Sequence, residues 1–344
     1  MMNKFSFSTL IIASCLSSAW ANGQISSGPY HVLTSARVNG AGRIDYVYVD
    51  SSFRKLYIPR SGPSPKIMVF ELDTLGPLGE LDNTSAHGTA VDPKYAHGFA
   101  TSKPVAMWDA KSLTPIKTID VDGRPDGLLG DPYNHRIYIF SHSAPNATVI
   151  DAATGTVLGT IDLGGAPEQA ATDRKGRIYV DIEDKAQVAV IDANTMKVVA
   201  DYDLNGKGAG CAGLALDPKN NVLYVACREP NVMVMLDAKT GKYLADLPIG
   251  NGCDGVVFNP KTGETFSSQR DGTLTVIKQT GPKKFFVEQT VKTTKGAKTC
   301  SLDIKTGKIY LIAPEYAADP APEVEQPKSA RPLPDAFTIW VVGK

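Results

Sequence analysis

One repeat constrains this chain more than any other feature. An apolar run, an Asp-Pro or related pair, a short polar turn and an aromatic-rich strand recur along its length. The recurring point falls at Asp50, Asp92, Asp131, Asp173, Asp217, Asn259 and Asp303, so neighbouring points lie 42, 39, 42, 44, 42 and 44 residues apart. After each point comes a second strand, such as Lys55–Ile58, Arg136–Ile139, Val222–Val225 or Lys308–Leu311. A third strand ends in Asp at Asp109, Asp151, Asp192 and Asp237, and a Thr-Gly type turn leads to a fourth. The runs are short, β-branched and aromatic, with Gly, Pro, Asn and Asp between them, and none shows a sustained helical period.

Four strands at this period are the pattern of a β-propeller blade, and a blade must bury both faces against neighbours. Seven recurrences predict an all-β, seven-bladed propeller in one domain, residues 22–344, despite the 344-residue length. The last blade has only three strands of its own: Thr299–Ile304, Lys308–Ala313 and, beyond a Pro-rich insert at 314–334, Ala336–Val342. A lone strand, Tyr30–Val38, precedes the first unit. It is expected to pair with Ala336–Val342, supply the missing fourth strand and close the ring.

The repeat is similar to that of the YVTN-type (YncE-like) bacterial propellers. The resemblance rests on Val222–Ala226, Val149–Gly155 and Ile161–Pro167 and runs over nearly all of the chain after residue 21. It implies an exported seven-bladed propeller. It implies no single activity, because the family includes surface-layer proteins, a DNA-binding periplasmic protein and many of unknown role. The family's Pro six residues before the anchor is kept at Pro125 and Pro167 and replaced by Ala86, Cys211, Cys253 and Ala297.

Residues 1–21 read as a signal peptide, with Lys4, an apolar stretch over Phe5–Ser14 and a small-residue cleavage site at Ala19-Trp20-Ala21. Export to the periplasm or outside the cell is the expectation. The alternative is lipoprotein processing at Cys15. Export permits disulfides among Cys211, Cys227, Cys253 and Cys300. Cys211 and Cys227 flank one hairpin, whereas Cys211 and Cys253 hold equivalent places in neighbouring blades, so both pairings stay open. No later stretch approaches the roughly 18 apolar residues of a membrane span. The 36 basic residues match the 36 acidic ones, which argues against nucleic acid as a partner.

In a propeller the first strand of each blade lines the central channel. Five residues before the anchors stand Asp45, His87, Asp126, Glu168, Ala212, Asp254 and Lys298. Asp45, His87, Asp126, Glu168 and Asp254 are candidate metal ligands, because hard carboxylate oxygens with one imidazole suit Ca²⁺, Mg²⁺ or Mn²⁺. Ten or eleven residues after the anchors stand Arg60, Ser102, His142, Glu183, Arg228, Arg270 and Pro314. Arg60, Glu183, Arg228 and Arg270, with Lys298, form a candidate ligand-binding rim, and His142 is the candidate general acid–base. Elbow, zincin and phosphate-loop motifs are absent. Two functions follow. The first is a binding protein that recognises a polar small molecule or a protein at the channel mouth as a monomer, with no certain cofactor. The alternative is a metal-dependent hydrolase or lyase, lactonase-like in its use of a channel-mouth carboxylate and His site.

Overall fold

The structure is a computed structural model that describes residues 25–40, 42–144, 147–316 and 332–344. The signal-peptide and Cys15 readings and most of the insert lie outside those residues. Seven antiparallel sheets follow one another along the chain. We number them as blades 1 to 7, from the sheet containing Lys55–Ser61 to the sheet containing Ile309–Tyr316.

Each anchor makes its turn by the same local chemistry. The side-chain Oδ1 of Asp50, Asp92, Asp131, Asp173, Asp217, Asn259 and Asp303 accepts a hydrogen bond from the backbone N–H two residues on, at 2.7–3.2 Å. Asp and Asn favour such turns because the carboxylate or amide mimics a backbone carbonyl. The aromatic residue of each second strand then enters the seam with a neighbouring blade. Tyr57, Phe99, Tyr138, Tyr179, Tyr224, Phe266 and Tyr310 are all buried. Burying each ring is worth roughly 2–3 kcal/mol. Tyr57, Tyr179 and Tyr310 also donate to the carbonyls of Ala110, Ala238 and Leu72 in an adjacent blade. The core is accordingly seven clusters, one per seam, rather than a single centre. Trp108 is 1% exposed and lies against Gly98, where any Cβ would overlap its ring.

The ring closes as the sequence predicts. His31–Asn39 pairs antiparallel with Pro332–Gly343, with Val38 opposite Phe337 and Val32 opposite Val342. Tyr30 is fastened to blade 6, where its N–H and C=O bond the Gln289 amide at 2.9 and 2.7 Å. Its hydroxyl donates to buried Glu264, which also takes the Lys344 ammonium at 2.9 Å. Both ends of the described chain therefore converge on one carboxylate. Two boundaries differ from expectation. The strands flanking the insert reach Tyr316 and resume at Pro332, and these two residues pair. Pro314 and Pro332–Pro334 therefore belong to the sheet, because a long hairpin can keep pairing past the blade's edge. The first strand of blade 1 is interrupted between Ile44 and Tyr48.

Candidate functional site

The inner strands carry their charged residues to one end of the channel. There, nine ionisable side chains from all seven blades form a belt. Lys298 donates to Asp45 at 2.8 Å and also pairs with Asp254. His87 Nδ1 lies 2.9 Å from Asp45 and 3.2 Å from Asp126. His142 Nε2 lies 3.4 Å from Asp126 and 3.3 Å from Glu168. Arg228 pairs with Asp254 and, at 2.6 Å, with Glu183 of the same blade as Glu168. Acid and base alternate around most of this circuit. Blade 5 contributes Ala212 at the inner position, and Arg228 from the next strand of that blade spans the gap between blades 4 and 6.

The electrostatics follow from crowding five carboxylates at a half-buried mouth. Burial would push Asp45 up, but the His87 bond and the Lys298 charge outweigh it and hold Asp45 below the usual carboxylate value. Burial raises Asp126 and Glu168 above theirs. The hydrogen bond to Asp45 raises His87, and the one to Glu168 pushes His142 up to about 9 against the cost of burial. At neutral pH, His142 is therefore an imidazolium bridging two carboxylates.

The structure separates the expected site residues into three groups. Asp45, His87 and Asp126 bring one ligand atom each within 4.8 Å of one another, and so do Asp126, His142 and Glu168. The two triads share Asp126. Asp254, read as a metal ligand, is instead enclosed by Arg228 and Lys298, whose positive charges disfavour a cation there. Of the expected rim, Glu183, Arg228 and Lys298 belong to the belt. Arg60 and Arg270 stand apart, at the seam of blades 7 and 1. Arg60 is buried, stacked on the Phe337 ring at 4.3 Å and donating to the Gly40 and Gly42 carbonyls. Arg270 is exposed. Ser102 accepts the Ala106 N–H and serves a turn.

Three residues of the mouth escaped the sequence reading. Four residues before the anchors stand Tyr46, Gly88, Gly127, Gln169, Gly213, Gly255 and Thr299. Two of the seven, Tyr46 and Gln169, are large polar side chains that bond to other blades. Gln169 crosses the channel, accepting from Leu214 and Val256 and donating to the Val256 carbonyl, each at 2.9 Å. Tyr46 donates to Glu168 at 3.1 Å. The same offset method, moved by one residue, would have found both. Asp181 has no such signal. It is fully buried, and neither carboxylate oxygen has a hydrogen-bond partner among the described residues. Burial, then the charges of Glu168 and Glu183, push it well above the carboxylate range, so it is buried as the neutral acid.

The cysteines resolve to one bridge. Cys211 and Cys227 face each other in the inner hairpin of blade 5 and are disulfide-bonded, next to Arg228. Cys253 and Cys300 are free and buried, and both thiols point at the Gly255 carbonyl at 3.6 Å.

No family model matches the chain. It is 25% identical over 190 residues to the uncharacterized protein YncE of Salmonella typhi and to that of Salmonella typhimurium, a match covering 52% of this chain and 53% of each relative. The matched region thus spans about half the length of the curated relatives. In fold it is similar to a chain of the mitotic checkpoint complex, with a TM-score of 0.71 at 10% identity over 99% of this chain and 98% of that one. It is also similar to Kuenenia stuttgartiensis hydrazine synthase, with a TM-score of 0.69 at 16% identity over 79% and 92%. Those two likenesses concern the fold alone. No helix among the described residues is long and apolar enough to cross a membrane. Seven closed blades, the repeat and the similarity to the Salmonella proteins together make this chain a YncE-like seven-bladed β-propeller.

Proposed function

We propose that this protein is an exported binding propeller whose channel mouth recognises a polar ligand, with a divalent cation held by the belt as part of that recognition. The observation that carries the reading is the pair of triads sharing Asp126. Each offers two carboxylates and one imidazole, a donor set that suits Mn²⁺ and admits Mg²⁺ or Ca²⁺. Charge supports it as well. Five carboxylates face Lys298, Arg228 and two imidazoles, which leaves the belt three negative with both imidazoles neutral and one negative with both protonated. A divalent ion supplies the same two positive charges as the two imidazolium protons, so it can replace them without changing the balance.

The hydrolase or lyase reading fits the belt less well. Without a cation, Glu168 and Asp126 keep His142 protonated above neutral pH, so it could accept a proton only where a cation had displaced that one. Calorimetric titration of Mn²⁺ into the wild type, Asp126→Asn and Asp254→Asn tests the binding reading. Saturable binding by the wild type and Asp254→Asn, lost in Asp126→Asn, is the expected result. Equal binding by all three, or by none, contradicts it. Export is tested separately by sequencing the N-terminus of the mature protein, which is expected to begin at Asn22.

A further inference from the structure

Beside the belt, at the seam of blades 7 and 1, a cavity of about 640 Å³ opens between Gly42–Asp45 and Ala336–Phe337. Its apolar floor includes Ile44, Ile312, Pro314 and Phe337. Arg43, Arg60, Arg270 and Lys298 also line it, against a single carboxylate, Asp45, which His87 and Lys298 already engage. The cavity therefore carries a strong positive excess over an apolar base. Arg60 is held rigid by Phe337 and two carbonyls, whereas Arg43 and Arg270 are exposed and able to close on a ligand. Two glycines of the lining keep it open. A Cβ on Gly42 would meet the Ser61 carbonyl at 2.5 Å, and one on Gly296 the Tyr316 hydroxyl at 2.8 Å, and both residues have positive φ.

We infer that this cavity is a binding site for a small organic carboxylate with an apolar aliphatic or aromatic body. The volume lies within the range of small-molecule sites, on the order of 300–1,000 Å³. Guanidinium groups pair with carboxylates through two parallel hydrogen bonds, which fixes the head of such a ligand at the rim. The apolar floor takes its body. A naked anion leaves that floor wet, and a neutral apolar molecule forms no ion pair with Arg43 or Arg270, so neither uses the site in full. The inference goes beyond cation binding and does not depend on it, because no metal-competent residue except Asp45 lines the cavity.

The test is displacement of 1-anilinonaphthalene-8-sulfonate, an amphipathic anion whose fluorescence rises on binding, from the full mature chain. Decanoate is expected to compete at least about tenfold better than decanol or inorganic phosphate, a difference of about 1.4 kcal/mol. In the Arg43→Ala, Arg270→Ala double variant, decanoate is expected to weaken about tenfold or more and decanol to change little. Because both arginines are exposed, the variant is expected to keep its melting temperature. Arg43→Lys, Arg270→Lys should restore part of the affinity, while Mn²⁺ binding stays as in the wild type in every variant. Absence of saturable probe binding by the folded wild type would overturn the inference. So would decanol or phosphate competing as well as decanoate, or a double variant with unchanged decanoate affinity. Failure of Mn²⁺ to bind leaves these outcomes unaffected, so the two proposals fail separately.

Discussion

The inner strands carry carboxylates at both ends of the channel and use them differently. At the anchor end, Asp50 and its equivalents accept backbone N–H groups two residues away, and their partners are local. Several also reach the neighbouring blade, as Asp92 does to His135 at 2.9 Å, Asp131 to Thr172 at 2.8 Å and Asp303 to Arg54 at 2.8 Å. At the mouth end, Asp45, Asp126, Glu168 and Asp254 find partners in the side chains of other blades. The first set makes turns that any propeller requires. The second concentrates carboxylates where they repel one another and must be offset by Lys298, Arg228 and two imidazoles. That concentration has no role in forming a turn, and the proposed ligand site is placed at this end for that reason.

Four experiments test this contrast. The largest effect is expected at an anchor. Asp217 is 2% exposed and holds both the Lys219 and Asn220 N–H groups, so Asp217→Ala should lose roughly 2 kcal/mol and about 4 °C in Tm. Thermal unfolding checks it, and a loss no larger than that of Asp126→Asn would erase the distinction between the two ends.

Next comes acid. Burial would raise Asp303, but hydrogen bonds from Ser51, Thr306 and Arg54 outweigh it and lower the group to about 2. A carboxyl depressed in the folded state adds stability above its unfolded value near 3.8 and loses it as pH falls toward 2. About 2 kcal/mol should disappear over that window, and Asp303→Asn should flatten this part of a pH–stability curve. The mouth acts at the opposite end of the scale. His142, raised to about 9, adds stability that is fully present below its unfolded value near 6.5 and is lost as pH rises through 9. Allowing for solvent screening, the loss is about 1 kcal/mol, and His142→Gln should remove the slope. A wild-type curve that is flat from pH 6.5 to 9.5 would contradict the imidazolium bridge. The smallest effect is covalent. Denatured, unreduced protein lacking residues 1–21, and with them Cys15, should titrate two free thiols, Cys253 and Cys300, with Cys211 and Cys227 bridged. Four would show that the bridge beside Arg228 does not form.

Most of this architecture was legible because the anchors and the second-strand aromatics recur in sequence as they do in space. Tyr30–Val38 was legible as the closing strand because the last blade lacked one. All nine belt residues could be collected from two offsets, since the offset is a property of the blade. Who pairs with whom could not be read. That depends on side-chain reach across a channel whose width no single blade determines, which is why Asp254 falls among cations and Arg228 bridges past Ala212. Arg60, ten residues after its anchor, and Arg228, eleven after its own, fall in one sequence ring but serve different sites, because Arg60 meets Phe337 and the Gly40 and Gly42 carbonyls. Asp181 was unreadable for another reason. It is one of five consecutive buried residues in its strand, and nothing in the repeat sets its position apart.

The central claim is that the mouth, and not the anchor face, holds the ligand. A crystal grown with Mn²⁺ and measured at its absorption edge tests this most directly. An anomalous peak bounded by Asp126 together with Asp45 and His87, or with His142 and Glu168, is the predicted result. A peak among the anchor carboxylates, or none at full Mn²⁺ loading, would contradict it.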